Sequence, residues 1–245
     1  MGRSATSFRQ RRRTETKRAI VEAAMDRLAL EGLEGLTMRR LAKDLGCTEP
    51  ALYRYFPSKD ALLAALTQEV VDRLGALLDE GFAAAQTRAD ASLRPLVRAV
   101  LAAEVYAALM RERSGEAALL TLVLGDPRYL VDRDASAPTV EAVGRLLGRV
   151  EAALGEAAAQ GLLDEGDAET RSVLLWTAAH GAAQLRKFDR FGVPHLGVAR
   201  VRRAFARDLL AAWGAAPETV ELALDLAAAL AGELVPARAA GPKEE

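Results

Sequence analysis

The sequence predicts an all-α chain in two parts, a small N-terminal domain of three helices and a larger helical body. Three observations carry this. Ala, Leu, Arg and Glu dominate the composition, and all four favour helix. There is one Ile and no Asn, and Thr, Tyr and Phe are few, so the β-branched and aromatic residues a sheet needs are scarce. Apolar residues recur every three or four positions between Gly and Pro breaks.

Residues 1–13 are basic and aperiodic and read as a flexible arm. Its Arg11–Arg13 run either is solvated or reaches into a minor groove. A first helix follows from Thr14 to about Glu31, with Ile20, Ala23, Ala24 and Leu28 on one face, and Gly32 ends it. Thr37 caps a short helix from Met38 to Leu45 that turns Leu41, Ala42 and Leu45 inward, and Gly46 closes it. Thr48 caps a third helix, with Pro50 in its first turn, where a missing N–H costs little. Pro57 stops that helix and Ser58 caps the next. The domain boundaries follow: arm 1–13, three-helix domain 14–60, body 61–235 and frayed tail 236–245.

In the body, helices are expected near 58–88, 93–113, 115–124, 139–160, 167–190, 198–214 and 217–233, with a turn-rich break at Gly125–Pro138. The single cysteine, Cys47, excludes an internal disulfide and a cysteine-rich zinc site. It reads as a small packing residue, with a redox sensor as the alternative. No apolar run reaches the length of a membrane span and no signal core follows the basic start, so the expectation is a cytoplasmic protein.

Charge is unevenly spread. Residues 1–60 carry 13 Lys and Arg against 8 Asp and Glu, and the rest carry 20 against 26. A basic head on an acidic body suits a polyanionic partner, double-stranded DNA above all. The head also has the right shape. Leu52 and Phe56, four apart, can pack the third helix against Leu41 and Leu45. That leaves Thr48, Glu49, Ala51, Arg54 and Tyr55 free for a groove. One α-helix fits the major groove, and the N-terminal end of a recognition helix meets the base edges.

The stretch Leu52-Tyr53-Arg54-Tyr55-Phe56, then Ser58-Lys59-Asp60-Ala61-Leu62, resembles the DNA-binding domain of the TetR family of regulators. The Pro50-Ala51-Leu52-Tyr53 run is most similar to its tetracycline-repressor branch. The resemblance covers about residues 14–65. It implies that Thr37, Tyr53 and Lys59 contact phosphates and that Arg39 reaches a guanine or a phosphate. Glu49, Pro50 and Ala51 would face base edges. Glu49, Arg54 and Tyr55 depart from the branch's pattern, so a different operator is implied. The body would be a helical effector-binding and dimerisation domain. The whole would be a bacterial repressor, a homodimer that a small hydrophobic effector releases from a palindromic operator.

The body itself shows no catalytic grouping, and no cofactor or metal is expected. His180 and His195 lie in no metal-binding run and no Gly-rich phosphate loop is present. Trp176-Thr177-Ala178-Ala179-His180-Gly181 resembles the Trp…His-Gly element of the eighth helix in many of these regulators. There His180 is either a satisfied core histidine or a ligand contact. The effector candidates implied are Phe82, Tyr106, Leu109, Met110, Leu120, Tyr129, Leu146, Trp176, His180 and Leu185. The Ala- and Leu-rich helices at 167–190 and 198–233 are the expected dimer interface. The alternative from another class is a helical enzyme or adaptor whose basic head binds nucleic acid without sequence preference.

Overall fold

The computed structural model describes residues 2–125, 133–189, 191–193 and 197–236. The expected frayed tail, from residue 237 onward, lies outside them, as do Tyr129 and His195. Among the described residues every regular element is helical: α1 (Gly2–Gly35), α2 (Met38–Asp44), α3 (Glu49–Tyr53), α4 (Lys59–Arg88), α5 (Arg94–Glu112), α6 (Ser114–Leu120), a π-helical turn (Thr121–Gly125), α7 (Arg133–Ala159), α8 (Ala168–Gln184), α9 (Arg186–Asp189), α10 (Val198–Ala212) and α11 (Pro217–Leu234). None of these helices is long and apolar enough to cross a membrane.

Packing divides the chain into two compact units, residues 1–71 with 113–140 and residues 72–112 with 141–245. In the first unit Ile20, Ala24 and Leu28 of α1 are buried with Leu41 and Ala42 of α2, Leu52 and Phe56, and Leu62, Leu63 and Leu66 of α4. The α6 helix lies on α1 so closely that a Cβ at Gly115 would collide with the Leu28 carbonyl. Only glycine allows that approach.

Two expectations change here. Residues 2–13, read as a flexible arm, continue α1. No Gly or Pro interrupts residues 3–31, and the ion pairs Arg11–Glu15 at 3.1 Å and Arg18–Glu22 at 2.8 Å stitch successive turns. The helical path does end where expected, because Gly32 takes φ +70°. The break expected over Gly125–Pro138 is shorter than its turn residues suggested. Helix α7 begins at Arg133 and holds Pro138 inside it.

In the second unit α5 is the central element, buried along most of its length from Leu96 to Met110. It packs against α11 and α8, and α10 packs against both of those. Ala223, Ala227 and Ala231 are buried on α11, and such small side chains let helices approach closely. The helix expected over 167–190 is two helices, because the chain turns at Leu185 between α8 and α9.

Candidate nucleic-acid interface

The helix-turn-helix is built by local backbone chemistry. Thr37 is extended, and its Oγ1 accepts from the Arg40 amide at 3.2 Å, fixing the start of α2. At the other end the Gly46 amide donates to the Lys43 carbonyl at 3.1 Å, and the Cys47 amide to the Ala42 carbonyl at 2.9 Å. This is the Schellman arrangement, and Gly46 supplies its left-handed residue with φ +61°. The turn holds Cys47 outward. It is exposed, not the packing residue expected, because its backbone closes the motif while its side chain leaves the core.

Helix α3 is held by Leu52, 1% exposed, and Phe56, 5% exposed. Lys17 lies over the Phe56 ring at 5.6 Å. With those two side chains inward, Thr48, Pro50, Tyr53 and Arg54 are exposed, and Glu49, Ala51 and Tyr55 are half-buried. Thr48 occupies the cap position but makes no side-chain cap hydrogen bond, contrary to expectation. Pro50 offers no N–H at the second position, and the Ala51 amide at the third donates to the Thr48 carbonyl at 2.9 Å instead. The Ser58 Oγ does accept, from the Ala61 amide at 3.0 Å. Lys59 is thereby placed, exposed, on the first turn of α4. Arg39 and Thr37 are exposed at the start of α2.

An ion-pair network missed by sequence reasoning sets α2 against α1. Arg27 donates to Asp44 through Nε at 2.7 Å and to Glu31 through Nη1 at 2.8 Å. Arg40, itself exposed, pairs with the same Glu31 at 2.7 Å. Asp44 stands 17 residues from Arg27, so no local spacing reveals the pair.

In the second unit three of the effector candidates meet. The Tyr106 hydroxyl is hydrogen-bonded to His180 Nδ1 at 2.7 Å, and Trp176 stacks on the imidazole with centroids 5.5 Å apart. The Gln184 amide lies 3.3 Å from Nε2, a partner sequence reasoning missed. A neutral imidazole donates at one nitrogen and accepts at the other: the Gln184 amide nitrogen donates to Nε2, and Nδ1–H then donates to the Tyr106 hydroxyl oxygen. His180 is thus a satisfied histidine. Leu109 and Met110 are buried on the same helix as Tyr106. Phe82 sits under the Arg98 guanidinium at 5.8 Å, and Leu146 and Leu185 are half-buried. Leu120 is buried in the first unit and does not join this cluster.

Burial holds the His180 pKa below its ordinary value of 6.5 and pushes the Tyr106 hydroxyl up. A histidine depressed in the folded state contributes its stability fully above the unfolded pKa, and that contribution is lost as the pH falls below it. Urea denaturation at about pH 7 and about pH 5 should therefore show a smaller acid loss for His180→Gln than for the parent chain. Equal losses would assign the acid sensitivity to other groups.

Known proteins agree with this architecture. The family profile described as bacterial regulatory proteins of the TetR family matches residues 20–66, and that of the tetracycline-repressor-like C-terminal domain matches residues 99–212. The chain belongs to the TetR family. Over 55 residues it is 46% identical to the class C tetracycline repressor protein of Escherichia coli, a match spanning 22% of this chain and 25% of that one. It is 47% identical over 57 residues to the HTH-type transcriptional repressor DrrR1 of Streptomyces coeruleorubidus, 23% of this chain and 21% of that protein. These curated matches thus span about a quarter of their relatives' length. A crystal structure of RolR in complex with the ligand resorcinol shares the fold, with TM-score 0.63 and 16% identity over 87% of this chain and 95% of that one.

Proposed function

We propose that this TetR-family chain is a cytoplasmic, dimeric transcriptional repressor that binds a palindromic operator and is released by a small hydrophobic effector. The observation that carries the DNA reading is the split of α3. Leu52 and Phe56 are spent on the core, while Thr48, Pro50, Tyr53 and Arg54 face outward and the Thr48 hydroxyl is spared from capping. Glu49, Pro50 and Ala51 then read base edges, with Tyr55 beside them. Thr37, Tyr53 and Lys59 hold phosphates, and Arg39 takes a guanine or a phosphate. One such helix reads few base pairs, so two copies about 34–36 Å apart are required.

Exposed Val173 and Leu174 of α8, Phe205 of α10 and Leu222 of α11 support the pairing of two copies through these helices. Tyr106, Trp176 and His180, with Leu109 and Met110, support an aromatic or apolar effector. Release requires that the effector prefer the state in which the two heads are misplaced for the operator.

Competition decides between this reading and a non-specific nucleic-acid binder. A duplex recovered by binding-site selection should outcompete random-sequence duplex at about 0.15 M salt. Equal competition would leave the non-specific enzyme or adaptor. Lys59→Ala should weaken binding to every sequence and lower the magnitude of the salt slope by about 0.9. A changed sequence preference would instead contradict its phosphate role. Glu49→Gln should change the selected bases, since a carboxylate only accepts and an amide also donates. An unaltered selection profile would remove Glu49 from the reading set.

A further inference from the structure

We propose that the N-terminal extension of α1 forms, with the end of the recognition helix, a second phosphate-binding cleft that grips the DNA backbone beside the bases α3 reads. This rests on the DNA-binding reading and adds to the helix-turn-helix a wall contributed by α1. The cleft has a volume of about 440 Å³ and is lined by Arg12, Arg13, Thr16, Arg54 and Tyr55. Positions 12, 13 and 16 share one face of α1, and Arg54 and Tyr55, just after α3, supply the opposite wall.

Among the described residues no carboxylate lines this cleft. The acidic residue nearest in sequence, Glu15, lies one turn along from Arg12 and is engaged by Arg11 at 3.1 Å. Three arginines thus border one open cleft, and an anion entering it would gain from their shared charge. Arg12, Arg13 and Arg54 are all exposed, so the arrangement is not a by-product of core packing. The Tyr55 ring is half-buried in the wall, and a tyrosine hydroxyl adds a donor. Guanidinium forks match the paired oxygens of a phosphate better than any other side chain.

The occupant is argued from place and shape. The cleft is open, not enclosed, and adjoins the helix whose exposed face carries the base-reading candidates. A duplex seated on that face brings its own phosphodiester chain alongside. The extension also explains itself this way. Residues 10–15 are all exposed, so this part of α1 buries no core and has its basic surface as its contribution.

The test uses the full chain and fluorescence anisotropy across a salt series. Arg12→Ala with Arg13→Ala is compared with the parent on the selected operator and on random-sequence duplex. Alanine keeps the helix, so circular dichroism should not change. Binding should weaken roughly tenfold on both duplexes, and the salt slope should fall in magnitude by about 1.8, two phosphates' worth. Arg12→Lys with Arg13→Lys should restore most of the slope. Arg11→Ala with Arg18→Ala removes the same charge from the same helix outside the cleft and should leave the slope within about 0.5 of the parent. An unchanged slope in the first variant, or an equal fall in the Arg11 and Arg18 control, overturns the cleft. So does a change in base preference with an intact slope, which would mean that the arginines read bases. Failure of the operator reading shows separately, as equal competition by random duplex, and the cleft can still be measured on that duplex.

Discussion

Leu52→Ala is expected to abolish operator binding although Leu52 touches no DNA in the proposed arrangement. Helix α3 is five residues long, far below the length at which a helix persists by itself. Its position therefore comes from the two side chains it buries, of which Leu52 is 1% exposed. Truncation removes that packing and leaves a cavity, at a cost of about 2–5 kcal/mol. Against a total stability of roughly 5–15 kcal/mol this is a large fraction, and it falls on the element that must be rigid. Urea unfolding followed by circular dichroism should show the lowered midpoint, and anisotropy should show the lost binding. Leu52→Met conserves volume and should cost less than about 1.5 kcal/mol while keeping most of the affinity. Lost binding with full stability would instead make Leu52 a direct DNA contact.

The legibility of that helix in the sequence has a physical cause. Thr37, Gly46, Pro50, Pro57 and Ser58 each act on their own few residues of backbone, so the bounds of α2, α3 and α4 are readable to within a few residues. The same holds for α5, α10 and α11, where an apolar stripe runs between helix-breaking residues. Contacts between distant residues leave no such mark. Tyr106 and His180 lie 74 positions apart, and only the packing of α8 on α5 joins them. Arg12 and Arg13 look like a solvated basic run until α1 is seen to continue through them and face Arg54. The extension lacked an apolar period to read, yet propensity and i,i+4 pairing suffice to make it helical. Residue type alone suggests packing for Cys47, whereas the Schellman turn fixes its side chain's direction outward.

The largest effect on the body should come from Glu104, an acidic residue buried among the apolar side chains of α5. It is 7% exposed and paired with Arg202 of α10, whose side chain is 12% exposed. Burial holds the Arg202 pKa below its usual value, with the charge of Arg203 adding to the effect. Glu104→Gln removes the negative charge and leaves a guanidinium buried without one, which should cost about 3–5 kcal/mol. The pair itself is not expected to be worth that much, because both charges gave up water to form it. Glu104→Leu combined with Arg202→Met should accordingly be neutral or stabilising by about 1–4 kcal/mol. Urea denaturation of Glu104→Leu, Arg202→Met and the double variant measures the coupling. A single-variant cost below about 1 kcal/mol would mean that water reaches the pair. The pair also ties α10 to α5, and α10 carries Phe205 of the proposed dimer face. Glu104→Gln should therefore loosen that face, so that operator binding becomes steeply dependent on protein concentration, whereas the apolar double variant should dimerise as the parent does.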